Sequence, residues 1–292
     1  MFFLFVATIF LINSGFNLNW IERASELFSV NTPITQGRKF AFVSNSVRDL
    51  TQEEMQYLAT NYDLLVLGNQ TKPMDMEART IKEMNPNIKM LVYFLTTIRH
   101  KAAIYGTEDF NPDWYLKDIY GQMIYKGSGQ NIAYIDITNA DYQYWARRNV
   151  NNFTRLAPYD GFLFDNVNPI TISRVGAEKI TEYNLALTQY LRNMTATQNK
   201  KSKLIIFNGI HRLPSKTDRS VANLDITNGA LNEMFCYGQN SAGVIEIVPK
   251  EMQLEDINLQ LEIANRQKYV LQKVNMPQSM WEDMANIVME YF

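Results

Sequence analysis

Two acids, Asp165 and Glu233, each stand at the end of a short apolar run, where a pair of carboxyl groups could serve as general acid and general base. Asp165 closes Gly161-Phe162-Leu163-Phe164, and Glu233 follows Gly229-Ala230-Leu231-Asn232. They lie 68 residues apart, a separation that suits two β/α units. Cleavage of a glycosidic bond needs such a pair, about 5 Å apart for retention of configuration and about 6.5–9.5 Å for inversion. One member must carry a proton to the leaving oxygen and the other must be ionised. Asp165, between Phe164 and the short polar Asn166, is expected to be the ionised nucleophile or base; Glu233, beside Met234 in a more apolar setting, the proton donor. Either acid could instead cap a helix or pair with a basic neighbour. Asp136 is a third candidate, although a helix N-cap at Thr138 or Asn139 accounts for part of its segment.

The elements that must position these groups read as alternating strands and helices. Apolar runs occur at 39–44, 62–68, 88–95, 161–167, 203–209, 229–235 and 268–273. Helix-period segments separate them, one opening at Thr51-Gln52-Glu53-Glu54 with the pattern of a capping box. Near-continuous apolar strands between helices mean a parallel sheet covered on both faces. The expected fold is therefore α/β, a (β/α)8 TIM-type barrel one strand short at its end. No Gly-x-Gly-x-x-Gly or Walker-type loop follows any run, which argues against a nucleotide-binding sheet.

In such a barrel the chemistry sits at the C-terminal ends of the strands. Those ends carry Ser44, Asn45, Asn69, Tyr93, Asp165, Asn166, Asn208, Glu233 and Gln272. Of these, Tyr93, Asn166, Asn208 and Gln272 are expected to bind substrate, as is Asp136. The stretch between Leu95 and Gly161 is longer than one helix needs and is rich in aromatics, among them Trp114, Tyr115, Tyr120 and Tyr125. It is expected to wall the cleft, with Trp114 among the substrate-binding residues and at least one of Trp114, Tyr120 and Tyr125 facing Asp165; a self-packed surface loop is the alternative for any one of them.

The 292 residues carry a net charge of −2, with no basic excess of the kind nucleic acid demands. One cysteine, Cys236, and two histidines, His100 and His211, leave no disulfide and too few ligands for a zinc site, so no metal or cofactor is expected. Residues 2–12 are apolar but too short to span a bilayer. They fit the core of a signal peptide over residues 1–15, which implies a secreted protein without a membrane span once the leader is removed. They lack the usual preceding positive charge, and a buried first strand is the alternative reading. Sequons at Asn69, Asn152 and Asn193 are compatible with secretion. Residues 16–292 then form a single barrel domain. The strand count implies that the domain is truncated beyond Phe292, unless residues 2–11 close the sheet.

The stretch Tyr159-Asp160-Gly161-Phe162-Leu163-Phe164-Asp165-Asn166-Val167 resembles the YDGxFxDN signature of the hypothetical glycosyl hydrolase family fifteen. Tyr134 to Ala140, with Trp145 behind it, resembles the D-x-T-N-P…W segment of related barrel glycosidases. Gly229 to Phe235 is similar to the family's sixth-strand DGxxxExF, with Asn228 in place of the Asp. The likeness implies a TIM barrel and a glycosidase acting on an oligo- or polysaccharide through Asp165 and Glu233. Two other readings stay open: a carbohydrate-binding barrel without turnover, and a barrel isomerase or lyase in which Tyr93 or His211 is the base.

Overall fold

The computed structural model describes residues 4–8, 38–43, 49–68, 74–100, 110–127, 131–156, 158–210, 222–232, 237–239, 245–266 and 268–274. Its centre is a curled parallel sheet of β1 (Leu4–Thr8), β2 (Arg38–Val43), β3 (Leu64–Leu67), β4 (Lys89–Leu95), β5 (Gly161–Asp165), β6 (Leu204–Asn208), β7 (Gly229–Asn232) and β8 (Tyr269–Val274). Each strand pairs in parallel with the next in chain order, and β8 pairs back onto β1. Helices α1 (Gln52–Asn61), α2 (Asp75–Met84), α3 (Ala140–Leu156), α4 (Ala177–Asn199) and α5 (Lys250–Asn265) lie between the strands, so the fold is α/β.

Two-residue alternation divides the strand side chains between the inside and the outside of the sheet. Phe40, Val66, Leu91, Leu163, Ile206 and Leu271 meet in one inner cluster, each fully buried. At about 1.5–3 kcal/mol for each such side chain removed from water, this layer is a large contributor to the stability of the curled sheet. Phe162 and Phe164 point the other way, into the outer core with Tyr183 and Tyr190 of α4. The Thr51 capping box forms as its sequence suggests. Glu54 N–H donates to Thr51 Oγ1 at 3.2 Å, and Thr51 N–H donates to Glu54 Oε2 at 2.8 Å.

The expected gap at the C-terminal end of the sheet is corrected here. Leu4–Thr8 fills it, pairing with Tyr269–Val274 on one side and Arg38–Val43 on the other. A short apolar strand and the apolar core of a signal peptide have the same composition, and so the count that began at Lys39 came out one short. Residues 20–30 and 280–292, whose sequence reads as helix, lie outside the described residues. No helix among the described residues is long and apolar enough to cross a membrane.

If β1 closes the sheet, deleting residues 1–15 uncovers an edge on both β2 and β8. The truncated chain should unfold roughly 10 °C lower, at about 2–4 °C per kcal/mol lost for a chain of this size, and should aggregate on heating. An unchanged thermal midpoint by calorimetry would show that those residues do not hold the sheet closed.

Candidate active site

Asp165 ends β5, two residues past the inward Leu163. Its Oδ2 accepts a hydrogen bond from the Tyr93 hydroxyl at the end of β4. Its Oδ1 accepts from Asn208 Nδ2 of β6 at 2.7 Å and from the N–H of Asn166 at 2.7 Å. Three neighbours thus orient one carboxylate, and both of its oxygens act as acceptors. Tyr93, Asp165, Asn166 and Asn208 had been singled out separately from the sequence, and the structure brings all four together.

Asn166 is in the left-handed region, at φ 55°, a conformation that asparagine tolerates better than most residues. The bend that results turns the chain away from the sheet immediately after the carboxylate. The Asn166 carbonyl accepts from Thr97 Oγ1 and its side-chain oxygen from Lys126 Nζ. Neither Thr97 nor Lys126 was found from the sequence, because both come from the long connection after β4, where no period marks a position. That connection is an antiparallel meander. Ile98–His100 pairs with Ile132–Tyr134, and single bridges join Tyr115 to Ile135 and Tyr125 to Ala133. It is tied to the strand ends by Thr96 N–H to the Asp165 carbonyl (3.0 Å) and Ile135 N–H to the Thr97 carbonyl (2.8 Å). Burial, and secondarily the Lys126 charge, hold the His100 imidazole below its usual pKa.

Other expected binding residues have different surroundings. Trp114 is 8% exposed and packs against Phe110 (5.2 Å between ring centroids), Trp145 (5.7 Å) and Tyr142 (6.0 Å). It therefore serves the packing of the meander on α3 rather than offering an open ring face. Tyr120 is 80% exposed at the tip of the meander. Asp136 accepts from the N–H and the hydroxyl of Thr138 (3.0 and 2.6 Å) and pairs with Lys179 (3.1 Å). Asn139 caps α3, its side-chain oxygen accepting from the N–H groups of Asp141 and Tyr142. Gln272 pairs through its backbone with Asn232 and Val6, and its side chain lies outside what is described. Ser44, Asn45, Asn69, His211, Glu233 and Cys236 also lie outside the described residues. Among the described residues, no group of three or more His, Cys, Asp or Glu side chains could hold a metal ion.

The start of β5 explains the other half of the sequence signature. Asp160 Oδ2 accepts the N–H of Met90 (2.9 Å) and its carboxylate pairs with Lys82 and Lys89 (3.0 and 3.3 Å). Its own N–H bonds the Met90 carbonyl (2.7 Å), and its carbonyl accepts from Leu204 (2.8 Å). Asn228 repeats this arrangement before β7. Its Oδ1 accepts the N–H of Ile205 (2.8 Å), its N–H bonds the Ile205 carbonyl (2.8 Å), and its carbonyl accepts from Tyr269 (2.9 Å). An amide oxygen accepts that bond as a carboxylate does, so the Asp-to-Asn departure leaves the base of β7 intact. A glycine follows in both places because a Cβ on Gly161 would stand 2.1 Å from the Leu204 carbonyl oxygen, and one on Gly229 2.3 Å from that of Tyr269.

A curled parallel sheet with helices between its strands is an α/β fold that hosts many activities, and the sequence places the chain more closely. The chain belongs to the hypothetical glycosyl hydrolase family 15, whose model matches residues 82–291. No curated protein matches it. Among solved structures it resembles a variant of the glycoside hydrolase domain of PelA from Pseudomonas aeruginosa, at 12% identity and TM-score 0.62, over 87% of this chain and 91% of that one. It also resembles Aspergillus fumigatus Ega3 in complex with galactosamine (9% identity, TM-score 0.54, 84% of each chain). A third is a cycloisomaltooligosaccharide glucanotransferase from Paenibacillus (11% identity, TM-score 0.58, 80% of this chain and 38% of that one). These likenesses are of fold.

The shared base arrangement yields a direct test. Asn228→Ala leaves the Ile205 N–H without its acceptor and should cost about 1–3 kcal/mol in urea unfolding. Asn228→Asp, which keeps an acceptor oxygen, should cost clearly less. Equal losses in the two variants would show that the side-chain oxygen contributes nothing there.

Proposed function

We propose that this chain is a glycoside hydrolase built on a TIM-type (β/α)8 barrel, cleaving an oligo- or polysaccharide with Asp165 and Glu233 as its two carboxyl groups. The setting of Asp165 carries the reading: a strand-end carboxylate held by Tyr93, Asn208 and the Asn166 N–H, with both oxygens in the role of acceptor. Such a group is arranged to donate an electron pair, as nucleophile or as the base that activates water.

The support for Glu233 comes from the strand it follows. Asp165 is four residues past Gly161, and Glu233 is four residues past Gly229. The two glycines open β5 and β7 behind the same hydrogen-bonded base. Leu163 and Leu231 both belong to the inner cluster, and two more residues along each strand give both acids the same parity. One strand, β6, intervenes. On this reading Glu233 is the proton donor, and Tyr93 and Asn208 fix the angle at which Asp165 meets the anomeric carbon.

Family membership supports the reaction class, and the galactosamine bound by Ega3 suggests where to begin with substrates. Asp165→Asn and Glu233→Gln should each lower kcat by about 10²–10⁴-fold on any galactosamine-, galactose- or glucose-containing oligosaccharide that the parent cleaves. Neither should move the thermal midpoint. NMR of the first-formed anomer would assign retention or inversion. Wild-type rates in either variant would remove that acid from the mechanism. Sugar binding without turnover by the parent chain would make the barrel a carbohydrate-binding protein instead.

A further inference from the structure

Asn208 has a capacity that holding Asp165 does not use. It lies two residues past the inward Ile206 and is 5% exposed. Its Nδ2 donates to Asp165 Oδ1 at 2.7 Å, and a carboxylate can only accept, so the orientation of the amide is settled. The Oδ1 end is consequently turned away from Asp165. That oxygen is buried and, among the described residues, has no hydrogen-bond partner. A buried acceptor without a donor is costly, and such groups in native proteins call for a specific cause. The neighbouring group is the Asp165 carboxylate, which Nδ2 of the same amide holds at 2.7 Å.

We propose that Asn208 determines specificity. Its Oδ1 accepts a hydrogen bond from a donor on C2 of the sugar bound against Asp165, whether a hydroxyl or an ammonium. This inference rests on the reading of Asp165 as the carboxylate next to the anomeric carbon. With Nδ2 fixed on Asp165, Oδ1 falls beside the neighbouring ring position rather than the reacting one. A sugar lacking a donor at C2 leaves the acceptor unmet in a site that excludes water, and is rejected for that reason. An ordered water satisfying the same oxygen is the competing occupant, and it would make no distinction among sugars.

The experiment is calorimetric titration of the full chain with galactose, galactosamine and 2-deoxygalactose, and with the corresponding three sugars of the gluco series. The wild type should bind the parent or the amino sugar about 10–100-fold more tightly than the 2-deoxy sugar, the range that one lost bond to a buried acceptor produces. Which of the first two binds better separates a hydroxyl from an ammonium. In Asn208→Leu the preference should fall to within about 3-fold. In Tyr93→Phe, which removes a different donor to Asp165 and leaves Oδ1 in place, the preference should persist. Equal binding of all three sugars by the wild type, no binding of any, or a preference that survives in Asn208→Leu overturns the proposal. If Asn208→Leu does not fold, the wild-type ratio alone decides. Hydrolysis is read separately, so a chain that cleaves without discriminating at C2 loses this inference and keeps the proposed function.

Discussion

At the base of β5 the Asp160 carboxylate accepts the Met90 N–H, and at the base of β7 the Asn228 amide accepts the Ile205 N–H. These two bonds hold the register of two strands whose far ends matter most. A slip of one residue in a strand exchanges its inner and outer faces. In β5 it would carry Phe164 into the ring and turn Asp165 outward among the helices. The polar residue at the bottom of the strand therefore governs which group appears at the top, and the glycine behind it allows the neighbouring backbone to come close enough for the pairing to form. The signature motif is two devices joined by one strand: an anchor in Asp160-Gly161 and a reactive end in Asp165-Asn166.

The long connection after β4 belongs to the site as much as the strands do. Its backbone bonds to the Asp165 carbonyl, and its Thr97 and Lys126 side chains hold the two oxygens of Asn166. Asn166 in turn donates its N–H to Asp165. The carboxylate is thus oriented from β4, from β6 and, through Asn166, from a meander that is not part of the sheet. Exchanging that meander between relatives would change the surroundings of the carboxylate without altering any strand.

Much of this was legible in the sequence, for physical reasons. Strands buried on both faces announce themselves as apolar runs, and the polar residues at or near the end of each run lie at the carboxyl end, which is how Tyr93, Asp165 and Asn208 were each singled out. The capping box at Thr51 is local chemistry and formed as read. What failed to show was whatever depends on partners distant in the chain. Lys126 has nothing in its neighbourhood to distinguish it from a solvated lysine. Trp114 reads equally as a sugar platform or as core, and only its rings-in-contact with Phe110 and Trp145 decide for core. Asp136 follows the same logic: an exposed-looking acid whose partner, Lys179, comes from the middle of the following β/α unit. The pairing of Leu4–Thr8 with the strands on either side of it is likewise long-range, and nothing local announces it.

The packing of Trp114 and Trp145 has a spectroscopic consequence. Two indoles with ring centroids 5.7 Å apart and planes inclined by 52°, with Tyr142 stacked on one of them at 5.8 Å, form a rigid chiral array of chromophores. Trp114 comes from the meander and Trp145 from the helix that follows it. The circular dichroism of the protein should therefore carry a contribution from this pair that is lost when the two segments separate. The chain carries its own optical gauge of whether the element that steadies Asn166 is in place.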